Sequence, residues 1–171
     1  MKQRADIGID NGTTGAIGII HPNGTDFFKT PTITVPKYTK APAKLKRVDF
    51  QRLVLMLQEY TNRYECFVAL ENPLTSKRLL NTTILAARSH EATMIALEYL
   101  NISQYHKNLI HVSSRDWQKI YLPRIVKGQG KKVASLTLGI NEWPEHRHAI
   151  ISQGDADALY LAKYRKGENT Q

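Results

Sequence analysis

The stretch Ala5–His21, ADIGIDNGTTGAIGIIH, constrains this chain more than any other. Ile7 and Ile9 alternate with Asp6 and Gly8, which is the period of a β-strand. Ala16-Ile17-Gly18-Ile19-Ile20 reads as a second strand, closed by Pro22-Asn23-Gly24. Asn11-Gly12 supplies a turn between the two. Asp10 therefore stands where a buried strand runs out into a glycine-rich bend. A carboxylate there costs free energy unless it is solvated, paired or bound to a cation. A hydrogen bond to its own turn, as an Asx residue, accounts for it equally well.

Downstream, a third strand is predicted through Phe27-Phe28-Lys29 and on to Thr32–Val35, completing an antiparallel meander. Pro36–Arg47, with two prolines and five Lys or Arg, reads as an exposed basic loop. Val48–Arg63 takes helical period, with Asp49 as cap and Leu53, Met56, Leu57 and Tyr60 on one face. Glu65–Glu71 has the length and apolarity of a buried strand, ended by Asn72-Pro73. Thr75–Leu100 reads as a loop and a long helix capped by Asn81 or Thr82. That helix is apolar on several faces, which suits both the core and a subunit interface. Asn108–Ser113 is a further strand. Helices follow at Trp117–Leu122, at Lys131–Leu138 and from Asp155–Asp157 onward, before a polar tail, Arg165–Gln171. This order predicts an α/β fold, a mixed five-stranded sheet flanked by helices, as one domain over residues 1–171.

Charge narrows the partner. Twenty-four Lys and Arg against fifteen acids leave a net charge of +9, which favours a polyanion such as nucleic acid, although solubility alone would also use it. No apolar run approaches the roughly 20 residues of a membrane span, and the N-terminus lacks the pattern of a signal peptide. The single cysteine, Cys66, lies in a buried-strand pattern with no ligand set around it, so a core thiol and a reducing, cytoplasmic setting are expected.

The acids then form a constellation. Glu71 ends its strand as Asp10 ends the first. If those strands are adjacent and parallel, both acids emerge at the end of the sheet where open α/β folds bind ligands. Asp155 and Asp157 open a helix, whose N-terminus tolerates negative charge. Each has an ordinary explanation alone, as cap, dipole partner or salt bridge. Together they would repel one another unless divalent cations joined them. All-oxygen ligands select Mg²⁺ or Mn²⁺ over zinc. Two such ions about 4 Å apart can activate water and stabilise a leaving oxygen in phosphodiester hydrolysis.

Ile7-Gly-Ile-Asp10-Asn-Gly, Val68-Ala-Leu-Glu71 and Gly154-Asp-Ala-Asp157-Ala-Leu, in that order, resemble the signature of RuvC-type Holliday-junction resolvases of the RNase H-like superfamily, with the phage-encoded branch most similar. The resemblance runs from Asp6 to Tyr164. It implies that Asp10, Glu71 and Asp157 bind two Mg²⁺ or Mn²⁺ ions. Three positions before the last Asp, where the family has an acid or His, this chain has Gly154; Asp155, displaced by one, is the candidate fourth catalytic, metal-binding acid, and His148 is a weaker substitute. The resemblance also implies Lys119 and Lys132 near the scissile phosphate, with Lys131 adjacent. It implies a homodimer packed through the helix around Leu79–Leu100, and paired cuts across a four-way junction.

Candidate phosphate contacts are Lys37, Lys40, Lys44, Lys46, Arg47, Lys77, Arg78, Arg124, Lys127, Lys131 and Lys132. Tyr38 and Tyr121 are candidates to stack on exposed bases, or simply to pack. Other readings stay open. Asp10-Asn-Gly-Thr-Thr-Gly also resembles the first phosphate loop of sugar kinases and actin-like ATPases, although those need two duplicated domains. Junction binding without cleavage, and cleavage of RNA–DNA hybrids, would use the same residues.

Overall fold

The computed structural model describes residues 1–36, 44–73, 80–122 and 130–167. Its strands are β1 (Gln3–Ile9), β2 (Ala16–His21), β3 (Gly24–Lys29), β4 (Thr32–Pro36), β5 (Lys44–Val48), β6 (Tyr64–Glu71) and β7 (Leu109–Val112). Its helices are α1 (Phe50–Arg63), α2 (Leu80–Tyr99), α3 (Ser114–Tyr121), α4 (Lys131–Glu142), α5 (Arg147–Gln153) and α6 (Asp157–Gly167). A short 3-10 turn, Pro144–His146, precedes α5.

The sheet order is β3-β2-β1-β6-β7. β1, β2 and β3 form the antiparallel meander, with Ile7 opposite Ile19 and Ile17 opposite Phe28. β6 runs parallel to β1, and β7 parallel to β6. This is the mixed five-stranded sheet flanked by helices that the element order predicts. The odd-numbered side chains Ala5, Ile7 and Ile9 point into one core, shared with α1 and α2. Trp117, Trp143 and the α6 residues Ala158–Leu161 form the core on the opposite face. Asp49 caps α1 as expected, its carboxylate accepting the Arg52 N–H at 3.1 Å.

What positions α6 is the absence of side chains beneath it. A Cβ on Gly8 would lie 2.1 Å from the Ala158 carbonyl oxygen, and one on Gly18 would lie 2.6 Å from the Leu159 nitrogen. The two glycines let the helix backbone rest directly on β1 and β2. Ala158, Leu159, Leu161 and Ala162 are fully buried there.

Several expectations change. Thr32–Val35 does not prolong the third strand, and Lys44–Arg47 is not loop. They pair as β4 and β5 in a separate two-stranded ribbon, with Val35 opposite Leu45 and Thr32 opposite Val48. Pro31 has no N–H for the β2 ladder, and its carbonyl instead accepts the Asp49 N–H at 2.8 Å, so the chain leaves the sheet there. Asn81 and Thr82, expected as a cap, lie inside the first turn of α2. On α2 the buried residues are Ser89, Thr93, Ala96 and Leu97, whereas Leu80, Ile84, Leu85, Ile95 and Tyr99 are exposed. α4 continues four residues past Leu138, and α5 has no counterpart in the sequence reading. Arg165 is no frayed residue: it is buried and donates to the Lys107 carbonyl at 2.9 Å. Cys66 is buried as expected. Among the described residues no helix is long and apolar enough to cross a membrane.

Gly8→Ala forces a methyl group into the Ala158 carbonyl. We expect urea unfolding to show a loss of about 1–3 kcal/mol, the usual cost of overpacking. An unchanged midpoint would mean that α6 can lift from the sheet without penalty.

Candidate active site

The β1–β6 register places Ile9 opposite Leu70, so Asp10 and Glu71 leave the sheet side by side. α6, seated on Gly8 and Gly18, brings its first residue, Asp157, to the same end. The three acids line one cavity of about 520 Å³, walled by the Asn11–Thr14 turn, α2, α3 and the start of α4. Gly15 closes the turn against Asp10, since a Cβ there would sit 2.1 Å from the Asp10 carbonyl oxygen. The turn is tied down on both sides. Asn11 Nδ2 donates to the Ala86 carbonyl on α2 at 3.2 Å, and Gln153 Nε2 donates to the Thr14 carbonyl at 2.6 Å.

The acids perturb one another. Burial, then the charges of Glu71, Asp157 and Asp155, hold the Asp10 carboxyl well above the usual carboxylate range, and Asp10 and Glu71 share a hydrogen bond. Burial also raises Glu71, against the opposing effect of the Trp117 indole, whose Nε1–H donates to Glu71 Oε1 at 3.1 Å. Asp157 is pushed up to about 7, first by burial, with Asp155 and Glu71 adding and the Ser135 hydroxyl bond opposing. Asp155 is 1% exposed and outside the cavity lining. Its Oδ2 lies 3.2 Å from Lys132 Nζ, and this bond raises the lysine's pKa and holds its charge at the cavity.

The donor chemistry fits hard divalent cations: three carboxylates sharing a cavity, each raised by burial, is a cost that a bound cation would relieve. Asn11 Oδ1, buried beside Asp10, has no hydrogen-bond partner among the described residues, which adds a neutral oxygen to the set. Among the described residues no three His, Cys, Asp or Glu side chains already surround one point as a ligand cage. Each acid instead has a protein partner: Asp10 and Glu71 each other, Glu71 also the Trp117 indole, Asp157 the Ser135 hydroxyl, and Asp155 the Lys132 ammonium.

The remaining sequence candidates are more dispersed. Lys131 lines the cavity and donates to Gln118 Oε1 at 2.6 Å. Lys119 lies on the exposed side of α3, away from the lining, because Trp117 takes the core side and Gln118 the cavity side. Lys44, Lys46 and Arg47 are exposed on β5. Tyr121 is packed, stacked on Tyr160 at 5.6 Å with Lys163 over its ring. His148 is exposed on α5, and Gly154 ends that helix at φ 95°, a backbone that disfavours an acid at this position. Lys37, Tyr38, Lys40, Lys77, Arg78, Arg124 and Lys127 lie outside the described residues. Sequence reasoning missed Trp117, Ser135 and Gln118. Trp117's place one turn into the helix after β7 was a usable signal; a serine inside α4 offered none.

The raised acids predict a pH profile. Between the ordinary value of 3.8 and the folded value of about 7 for Asp157, the folded chain binds more protons than the unfolded one, so stability falls as pH rises through that window. Thermal unfolding in chelator should show this decline, and Asp157→Asn should flatten it. Divalent cations should bind more tightly toward pH 7 and release protons on binding. A flat profile in the unaltered protein would mean that the acids are solvated and independent.

No protein-family model matches the chain, and no curated protein matches it significantly. Among solved structures it is similar to T. thermophilus RuvC in complex with a Holliday junction substrate, at 15% identity and a TM-score of 0.48, with 96% of each chain covered.

Proposed function

We propose that this chain is an endonuclease that hydrolyses phosphodiesters in four-way or otherwise branched DNA with two Mg²⁺ or Mn²⁺ ions, acting as a homodimer. The observation that carries this reading is the convergence of Asp10, Glu71 and Asp157 on one cavity flanked by Lys131 and Lys132, in a chain of net charge +9. The motif resemblance supports it independently of the geometry.

Asp10, Glu71 and Asp157, which act on one another across the cavity, would hold the ions. When bound, such ions supply Lewis acidity that activates water and offsets phosphate charge. The protein's own part is to orient and to neutralise. Asp155 anchors Lys132, so the ammonium can face the charge that builds on the phosphate without wandering. Gln118 holds Lys131 in the same manner. Asp155 thus serves the lysine in this scheme, and Lys119, on the outer side of α3, serves the DNA backbone. Lys44, Lys46 and Arg47 on the ribbon extend the cationic surface and would contact phosphates without reading sequence. The exposed apolar residues of α2 are the surface a second copy would cover, and two sites related by a dyad suit paired cuts.

Asp10→Asn should abolish cleavage of four-way DNA in Mg²⁺ while retaining junction binding in gel shifts. Lys132→Met should lower kcat about 100- to 1,000-fold, the scale for losing one charge-stabilising donor. Comparing four-way, flap and RNA–DNA hybrid substrates, with Mg²⁺ and with chelator, tests the reading. Cleavage that persists in chelator, or loss of binding equal to loss of cleavage in Asp10→Asn, would refute it.

A further inference from the structure

We infer that Trp117 and Ser135 are positioning residues for Glu71 and Asp157, each committing a single donor hydrogen to one carboxylate oxygen and so fixing how that carboxylate is presented to the cavity. The inference rests on reading that cavity as a divalent-cation site.

The indole Nε1–H can only donate, and it lies 3.1 Å from Glu71 Oε1. Trp117 is fully buried, so no solvent competes for that bond. Its ring is stacked on Tyr160, with centroids 6.1 Å apart and planes 9° apart, while Trp143 meets Tyr160 edge-on at 4.9 Å. Tyr160 is on α6, three residues after Asp157 and so on the same side of that helix. One aromatic stack therefore aims the indole at Glu71 and anchors the helix that presents Asp157.

Ser135 is also fully buried. Its oxygen accepts the Ala156 N–H at 3.1 Å, and a hydroxyl carries one proton, which is committed to Asp157 Oδ1. One turn on, Gly139 lets α4 press against Ala156, since a Cβ on Gly139 would lie 2.3 Å from the Ala156 Cβ. A carboxylate fastened at one oxygen offers a cation a defined lone-pair direction instead of a rotating pair. Partners of this kind typically contribute 10- to 100-fold to metal affinity or activity.

The test is titration of Mn²⁺ into the DNA-free protein, followed by calorimetry. Trp117→Phe keeps a ring against Tyr160 and removes the N–H together with part of the larger indole, so some stability is lost at this fully buried position. We expect its Mn²⁺ affinity to fall about 10- to 100-fold, with unfolding still cooperative and junction binding in chelator as in the unaltered protein. Ser135→Ala should weaken Mn²⁺ likewise. The chain has two tryptophans, so in a Trp143→Phe background the emission comes from Trp117 alone. Mg²⁺ should then shift it saturably, and Glu71→Gln should remove the shift. Unaltered Mn²⁺ affinity in Trp117→Phe overturns the inference and leaves the proposed site standing. Should that variant fold poorly, a Trp117 emission indifferent to Mg²⁺ overturns it instead. An unaltered protein that binds no Mn²⁺ at all overturns the proposed metal site as well.

Discussion

The packing of α6 on Gly8 and Gly18 is the contact on which the rest of the structure depends. With no Cβ on either residue, the helix backbone reaches the sheet surface itself, and Ala158 and Ala162 fill the remaining space. A bulkier pair would lift α6 by the thickness of a side chain. Asp157 would then stand away from Asp10 and Glu71. The apolar burial along α6 is also what offsets the cost of crowding three acids at one end of the sheet.

Asp6 and Asp10 show how environment separates identical residues on one strand. Both are even-numbered positions in the same alternating run. Asp6 is buried at the far end and is satisfied by Arg4, whose Nε donates to it at 2.9 Å. Among the described residues no cation pairs with Asp10 at that distance, and it faces other carboxylates instead. The first is a closed structural pair. The second is held in an unfavourable state that a ligand could relieve. Lys132 and Lys131 approach the cavity but are tied to Asp155 and Gln118, so the positive charge sits at its wall and does not cancel the acids.

The cavity is held by contacts that were hard to foresee, because they join distant segments. Asn11, bonded to the Ala86 carbonyl of α2, and Gln153 of α5, bonded to the Thr14 carbonyl, fasten the turn to two helices far from it in sequence. Trp117, Tyr160 and Trp143 come from three separate segments and meet only in the fold. The basic ribbon illustrates the opposite difficulty. Lys44–Arg47 looks too polar for a strand, yet an exposed two-stranded ribbon needs only a few cross-strand contacts such as Val35 with Leu45.

By itself the sequence determined the sheet and its acids. Alternation in Ala5–Ile20 and the apolar run ending at Glu71 have strand period and length, and a strand's period is a local property of the backbone. The parallel pairing of β1 with β6 stood in the sequence only as a condition; the fold meets it, and Asp10 and Glu71 leave the sheet side by side. Tertiary structure alone decided which partners hold those acids. Asp155 turned to Lys132, Trp117 to Glu71 and Ser135 to Asp157 through contacts between residues 22 to 46 apart. Such contacts depend on how helices seat on the sheet, and no local pattern of residues encodes that seating.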